Sequence, residues 1–457
     1  MKRVQGGFTL ELGVLLSLLK TAGSYGFSDV ESTASLSAPQ LEGRCGSLAL
    51  RRETSDFGIV DKVNYRSSRM LRSVLQDNSM GIVLLILLAQ LREKVLFDES
   101  KGSVKQVKLI GNLYDKCHRT MNILLAFLTD GSEDSLDKSH EKFEGAIENY
   151  AKSLPLLPKL YKEFGLRHAD AWALCRPLIR ASLTFAKDAT KSESTPDFLI
   201  PFYPFSDDMK ESYSIMIPPK SWNHISPIIF QTFFSYSIYD LIFPEERYQT
   251  EIARVKKEID RLLMLQKGGK DAIGMQSSMA AAVAAAGGTQ RDIRQATAFT
   301  KSHDLDLQRY RQSAEMMTFD LKRQKEHCDN VRASIKQLSE QFFSDLSGCN
   351  GVMESASVFF TTCVYARCLL SPEDAMYCAH FIMMLHETGT PGFYTIELFD
   401  IIVSALVGSL YSITEDEAGC LGIFFSIIWE TIVKWRYQPD EFEKQVKGKV
   451  CTVIRYA

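Results

Sequence analysis

"SVKQVKLIGNLYDKCHRTMNILLAFL", residues 103–128, places apolar side chains at Val107, Ile110, Leu113, Tyr114, Cys117, Met121, Leu124 and Leu128. The steps are of three and four residues, which gathers these side chains on one face of an α-helix. A half-buried strand would alternate every second residue, and no stretch of the chain sustains that pattern between hairpin turns. Just upstream, "IVLLILLAQL" (82–91) is apolar all round and reads as a buried core helix, with Asp77, Asn78 or Ser79 able to cap it. It is about half as long as a bilayer span, and no other run reaches that length. The expected class is all-α.

Working outward, two shorter amphipathic helices are expected near 141–164 and 168–186, the second turning Trp172, Leu174 and Cys175 towards a packing partner. Repeated prolines between 192 and 221 deny that segment a long helix. Pro244, Glu245 and Glu246 then open a long charged helix, with proline in the first turn and acids at the positive end of the dipole. Residues 268–290 are small and low in complexity, a flexible Ala/Gly tip. A second charged helix returns over roughly 291–346, its seam Cys328, Val331, Ile335, Leu338 and Phe342 stepping as a heptad. Together they predict a long antiparallel charged helical hairpin. Further helices are expected at 351–369, 372–387, 394–413 and 417–437. Residues 8–20 form a short helix, followed by a Gly/Ser-rich loop over 23–47. The predicted regions are 1–60 (short helix and flexible insert), 61–190 (helical repeats), 191–225 (Pro/aromatic connector), 226–347 (helix and hairpin) and 348–457 (C-terminal helical repeats).

Composition excludes little and favours a packed, reduced protein. The 457 residues are 45% apolar and 24% charged, with net charge −3, so bulk electrostatics does not favour nucleic acid. Ten cysteines are scattered without a CxxC pair, which fits buried thiols and not a disulfide framework. The N-terminal "MKRVQGGFTLELGVLLSLLK" resembles a secretion signal until Glu11 interrupts it, and a core helix is the better reading.

Cys368, Cys378, His380 and His386 fall within twenty residues, but Ser371-Pro372-Glu373-Asp374 is a helix-start signal. On that helix Cys378 and His380 diverge by about 200°, and Cys378 and His386 lie about 12 Å apart along the axis. Ligands of one zinc must converge within a few ångströms, so the expectation is a core cysteine and partly exposed histidines. Cys117 and His118 diverge by about 100° and cannot form a thiolate pair. In "RHAD" (167–170) Asp170 is expected to serve the helix start as a cap. "KGGKDAIG" lacks the phosphate-loop spacing, and no HExxH, GxSxG or GxGxxG occurs. No catalytic, cofactor or metal site is therefore predicted. Over 245–336 the hairpin holds 17 Lys/Arg and 13 Asp/Glu, a mixed-charge solvated pair of helices, with direct RNA binding through it as the alternative.

Six ordered segments carry a family resemblance. "KLIGNLYDKCHRT" (108–120), with Leu109, Gly111, Leu113, Tyr114, Asp115, Cys117 and His118, resembles a signature of the THO complex subunit 2 family, large scaffolds of the nuclear THO/TREX mRNA-export assembly. "PLLPKLYKEFGLRHADAWALCRPLI" (155–179) is similar to the family's next helical pair. "WNHISPIIFQTFFSYSIYDLIFPEERYQTEIARVK" (222–256), with Tyr239, Asp240 and Pro244, resembles the approach to its charged hairpin. "RCLLSPEDAMYCAHFIMMLHETGTPGFYT" (367–395) follows, with Ser371, Asp374, Tyr377, Cys378, Thr390, Pro391 and Phe393. "SITEDEAGCLGIF" (412–424) with Glu417 and "WETIVKWR" (429–436) with Trp435 complete the order. The likeness covers about 60–457.

The resemblance implies an extended, solenoid-like helical-repeat scaffold in the nucleus, not an enzyme, with no cofactor and no membrane. Implied partners are other THO subunits, notably THO complex subunit 1, and a DEAD-box mRNA export ATPase. Contact with RNA and mRNP is implied to be mainly indirect. The N-terminal region is similar to the middle domain of translation initiation factor 4G, a fold that grips such ATPases, which implies docking near residues 1–190. Family members are several times longer and carry a lysine-rich tail, so the chain reads as a central fragment.

Overall fold

A computed structural model of the chain describes residues 9–21, 36–54, 65–76, 79–97, 107–129, 139–188, 196–271, 290–343 and 348–447. Its helices run, in order, α1 (Thr9–Thr21), α2 (Ala38–Arg44), α3 (Leu48–Thr54), α4 (Tyr65–Gln76), α5 (Met80–Phe97), α6 (Val107–Thr129) and α7 (Ser139–Ser153). There follow α8 (Leu157–Lys162), α9 (His168–Asp188), α10 (Asp207–Met216), α11 (Pro227–Ser235), α12 (Ile238–Leu241), α13 (Glu245–Asp271) and α14 (Gln290–Leu338). The last are α15 (Gly348–Phe359), α16 (Pro372–Thr388), α17 (Thr395–Ser409), α18 (Glu415–Tyr437) and α19 (Pro439–Gln445). Among the described residues there is no strand, only an isolated antiparallel bridge between Ile225 and Phe343. The protein is all-α.

The chain divides into two compact units, one of residues 1–36, 59–241 and 331–457, the other of 37–58 and 242–330. In the first, the 3.6-residue period of α6 does what its sequence dictates. Leu113, Tyr114, Cys117, Met121, Leu124 and Leu128 are all buried, and α6 packs along the apolar α5. An aromatic core links the later helices. Trp172 stacks on Tyr213 and Phe234, while Phe233 meets Phe359, Tyr377 and Phe381 edge-on. At the end of α14, Val331 and Ile335 are buried and Leu338 half-buried.

Three expected boundaries shift, each for a local reason. The helix expected over 141–164 is two helices, because Pro155 cannot continue α7 and Pro158 sits in the first turn of α8. The helix expected over 351–369 contains a π-helical turn, Phe360–Tyr365. The loop expected over 23–47 holds α2 in its described part, entered where the Ser37 N–H donates to Gln40 Oε1. Residues 23–35 of that loop and 272–289 of the Ala/Gly tip lie outside the described residues, while 268–271 of the expected tip continue α13 and Gln290 opens α14.

The second unit packs α2 and α3 against α13 and α14, with Leu50, Tyr248, Val255, Ala314 and Met317 in its core. Tyr248, near the start of α13, donates to Gln324 Oε1, near the end of α14, at 2.8 Å, which ties the two helices together. Gly43 lets α2 approach α3 closely, since a Cβ there would lie 2.0 Å from Thr54 Oγ1. Gln324 is fully buried and donates to the Cys45 and Ile242 carbonyls at 2.8 and 2.9 Å. Gln324→Leu strands those carbonyls, and the expected cost is about 1–3 kcal/mol. Hydrogen exchange checks this: protection of α2 and α3 should fall by roughly ten- to a hundredfold.

Candidate functional site

The described residues with the most demanding chemistry are buried guanidinium groups, and each sits where several helices meet in the first unit. Arg92 of α5 is buried against Asp170 of α9, with which it forms an ion pair, and against His118 Nδ1 of α6. Asp170 also accepts from Arg167 Nε at 3.3 Å, and Arg167 reaches the Tyr114 hydroxyl at 3.1 Å. Burial pushes the Asp170 carboxyl up, but Arg92 and Arg167 outweigh it and hold it below its ordinary range. Asp170 is thus an inter-helix ion-pair partner and not the helix cap expected from sequence. A three-residue offset at a helix start fits both roles, and only the position of Arg92 distinguishes them.

His118 joins this knot as a neutral ring. Burial and the Arg92 charge lower its pKa to about 4. Nδ1 faces a guanidinium that can only donate, so Nε2 carries the proton and donates to the Leu370 carbonyl at 2.6 Å. Beside it Cys117 is buried, and burial raises its thiol to about 11, which makes it a packing residue.

The same helix engages the start of α18. Arg119 forms a two-pronged pair with Asp416, Nε to Oδ2 at 2.5 Å and Nη2 to Oδ1 at 2.6 Å. Thr414 and Glu417 form a capping box, the Glu417 N–H donating to Thr414 Oγ1 and the Thr414 N–H to Glu417 Oε2. Asp115 faces this turn, accepting from the Asp416 N–H at 3.4 Å, and Gly111 faces Thr414 with room for a Cβ, 4.0 Å away. Burial raises the Asp115 pKa to about 6, against hydrogen bonds that lower it, with Asp416 adding to the rise. Raised above its unfolded value of 3.8, this carboxyl favours the fold most at low pH and loses that contribution as pH climbs to 6. Asp115→Asn is therefore expected to gain stability relative to the natural chain as pH rises from 4 to 7. Urea midpoints at the two pH values measure it.

A second knot centres on Arg367, whose side chain is wholly buried. Its Nε donates to Asp374 Oδ1 at 2.8 Å, Nη2 to the Tyr236 carbonyl at 2.8 Å and Nη1 to the Phe233 carbonyl, while its Cζ lies 3.7 Å from the Tyr377 ring centroid. Asp374 also receives Arg176 Nη1 at 2.9 Å and the Ser371 hydroxyl at 2.8 Å. Burial raises this carboxyl, yet Arg176 and Arg367 hold it at about 2. Ser371 accepts from the Asp374 N–H as the N-cap of α16, and Gly389, left-handed at φ 68°, closes that helix.

Of the histidines of the Cys/His cluster, His386 is more enclosed than expected and His380 is partly exposed as expected. His386 is buried, its Nδ1 2.8 Å from Thr395 Oγ1 and its Nε2 3.0 Å from the Gln445 carbonyl, with its ring against Trp435. Trp435 Nε1 donates to Gln445 Oε1 at 2.9 Å, so the pair anchors α19. His380 is half-buried, and burial lowers its pKa to about 4. His168 donates from Nε2 to the Thr362 carbonyl inside the π-helical turn, at 2.9 Å. These partners lie 9 to 194 residues away in sequence, which no local pattern reveals.

Of the other motif residues, Tyr377, Cys378, Thr390 and Phe393 are buried, Asp240 accepts from the Ser237 N–H at 2.6 Å, and Tyr239 and Pro244 are half-buried. Leu109 and Pro391 are exposed and join neither knot. Spacing alone missed Arg92, Arg119, Arg176, Arg367 and Asp416. The available signal was an arginine inside an otherwise apolar helical stretch. α18 also corrects the expectation about length, since it alone among the described helices is long and apolar enough to cross a bilayer. One of its faces is committed elsewhere, burying Cys420, Leu421, Phe424 and Ile428.

Comparison with known proteins agrees with this picture. The family described as "Tho2: Transcription factor/nuclear export subunit protein 2" matches residues 222–455, just over half of the chain. THO complex subunit 2 of Homo sapiens is 26% identical over 452 residues, covering 97% of this chain and 25% of the relative. The Arabidopsis thaliana THO complex subunit 2 is 25% identical over 471 residues, covering 97% and 23%. That of Saccharomyces cerevisiae matches over 102 residues at 30% identity. The chain spans about a quarter of the length of the human and plant relatives. The match over residues 222–455 places the chain in the Tho2 family of transcription and nuclear export subunits.

Proposed function

We propose that the chain is a non-catalytic scaffold of a THO/TREX-type complex in the nucleus, coupling transcription to mRNA packaging and export. It would organise other THO subunits, notably a THO complex subunit 1, and a DEAD-box mRNA export ATPase, the latter through residues near 1–190. The single observation that carries this reading is similarity to THO complex subunit 2 along 97% of the chain. The buried knots are consistent with a structural role, because arginines tied up between helices serve rigidity. The motif residues, from Leu109 to Trp435, are assigned structural roles. Contact with RNA is assigned as mainly indirect, since Arg247, Arg254 and Arg261 of α13 are already paired with Glu251, Glu53 and Glu258.

Affinity purification of the tagged chain from nuclear extract tests the proposal. THO subunits or the export ATPase should co-purify above background, and their absence refutes it. Filter binding to RNA at two salt concentrations separates the RNA-binding alternative, which demands a steep salt dependence.

A further inference from the structure

Beyond the face it buries, α18 presents a second one with an internal order of its own. Positions 415, 418, 422, 425, 429, 432 and 436 step alternately by three and four, which is heptad spacing. The line begins at Glu415, ends at Arg436 and carries no charge between them over roughly 30 Å. Its first half is small, with Ala418 and Gly422 both exposed, and a Cβ on Gly422 would meet nothing within 4 Å. Its second half is bulky, with Phe425 stacked on Trp429 at 5.8 Å, and Trp429 is 52% exposed. A tryptophan this open, on an uncharged line between two opposite charges, is a face built for contact.

We propose that this face joins two copies of the chain, α18 packing antiparallel on α18 of a second copy about a two-fold axis. The argument is self-complementarity. In an antiparallel pair the small half of each helix meets the bulky half of the other, so Trp429 of each enters the notch left by Ala418 and Gly422 of its mate. The same arrangement brings the acidic end of each helix, Glu415, beside the basic end of the other, Arg436. Arg436 lies over the ring of its own neighbour Tyr437, its Cζ 5.6 Å from the centroid, at the end that the second copy's Glu415 would meet. A parallel pairing would set Trp429 on Trp429, leave Gly422 facing Gly422 and put like charges side by side. Only the antiparallel two-fold satisfies size and charge together, and a two-fold contact uses the same patch on both copies. The inference is independent of which larger assembly the chain joins.

Sedimentation equilibrium of the full 457-residue chain tests it. A species of twice the 51.6 kDa chain mass is expected, in concentration-dependent exchange with monomer. Gly422→Trp fills the notch in open space and should leave the circular dichroism unchanged while raising the dimer Kd roughly tenfold or more. Trp429→Ala should do the same from the other side. Glu415→Arg and Arg436→Glu should each weaken the dimer, and the double variant should restore it. Monomer at every concentration overturns the proposal, as does a dimer indifferent to both Gly422→Trp and Trp429→Ala. Flotation of the chain with phosphatidylcholine vesicles, lost in Trp429→Ala, would overturn it in favour of a membrane contact.

Discussion

Replacing Arg367 with alanine is expected to cost the first unit about 3–5 kcal/mol, the range for breaking a buried ion pair from one side. The guanidinium is fully buried and holds three oxygen partners at once, Asp374 and the Phe233 and Tyr236 carbonyls. Those two carbonyls lie at the C-terminal end of α11, where a helix has no partners of its own to offer them. Alanine therefore removes a charge partner and a helix terminator together. Lysine at the same position keeps the charge but not the planar fork, and should recover less than half of the loss. Urea denaturation followed by tryptophan fluorescence reads both variants, and a loss under about 1 kcal/mol for alanine would contradict the role assigned. The acid limb carries its own signature. Held at about 2 against 3.8 unfolded, Asp374 stabilises the fold fully above pH 3.8, and that contribution disappears as pH falls towards 2.

Asp170→Ala is expected to be comparably severe, about 3–5 kcal/mol, because it leaves Arg92 buried without its carboxylate. In the natural chain this knot also carries an acid response, opposite in sign to that of Asp115 over an overlapping pH range. His118 titrates near 4 when folded and near 6.5 when unfolded, so its neutral form stabilises the fold fully above pH 6.5. The contribution is lost as pH falls from 6.5 to 4, by about 3 kcal/mol at 1.36 kcal/mol per pH unit. His118→Asn keeps an acceptor for Arg92 without the titration and should flatten that part of the stability curve. Urea midpoints taken between pH 7 and 4 show the difference. An unchanged slope in His118→Asn would place the acid response elsewhere.

Some of this was legible in the residues. Ser371 and Pro372 announced the start of α16, and Gly389 its end, because capping is written in residues a turn apart. Cys117 and Cys378 could be placed in the core from helical phase alone. The role of Asp170 could not, since Arg92 lies 78 positions upstream on another helix. His386 was similarly opaque, with Thr395 and Gln445 reaching it from two later helices. The two helices at 38–54 leave no periodic signal in the sequence, because seven residues each are too few to show one. They are sustained by packing on α13, with the Ser47 N–H donating to the Tyr248 hydroxyl at 2.7 Å.

By itself the sequence determined the all-α class, the main helices and the family, because period, capping and ordered motifs are local properties of the chain. Tertiary structure alone decided which of its charges are buried, which arginine meets which carboxylate, and which face of α18 remains open. The physical reason is that a helix's hydrophobic phase fixes which way it faces, whereas an ion pair depends on what a distant segment brings to that face.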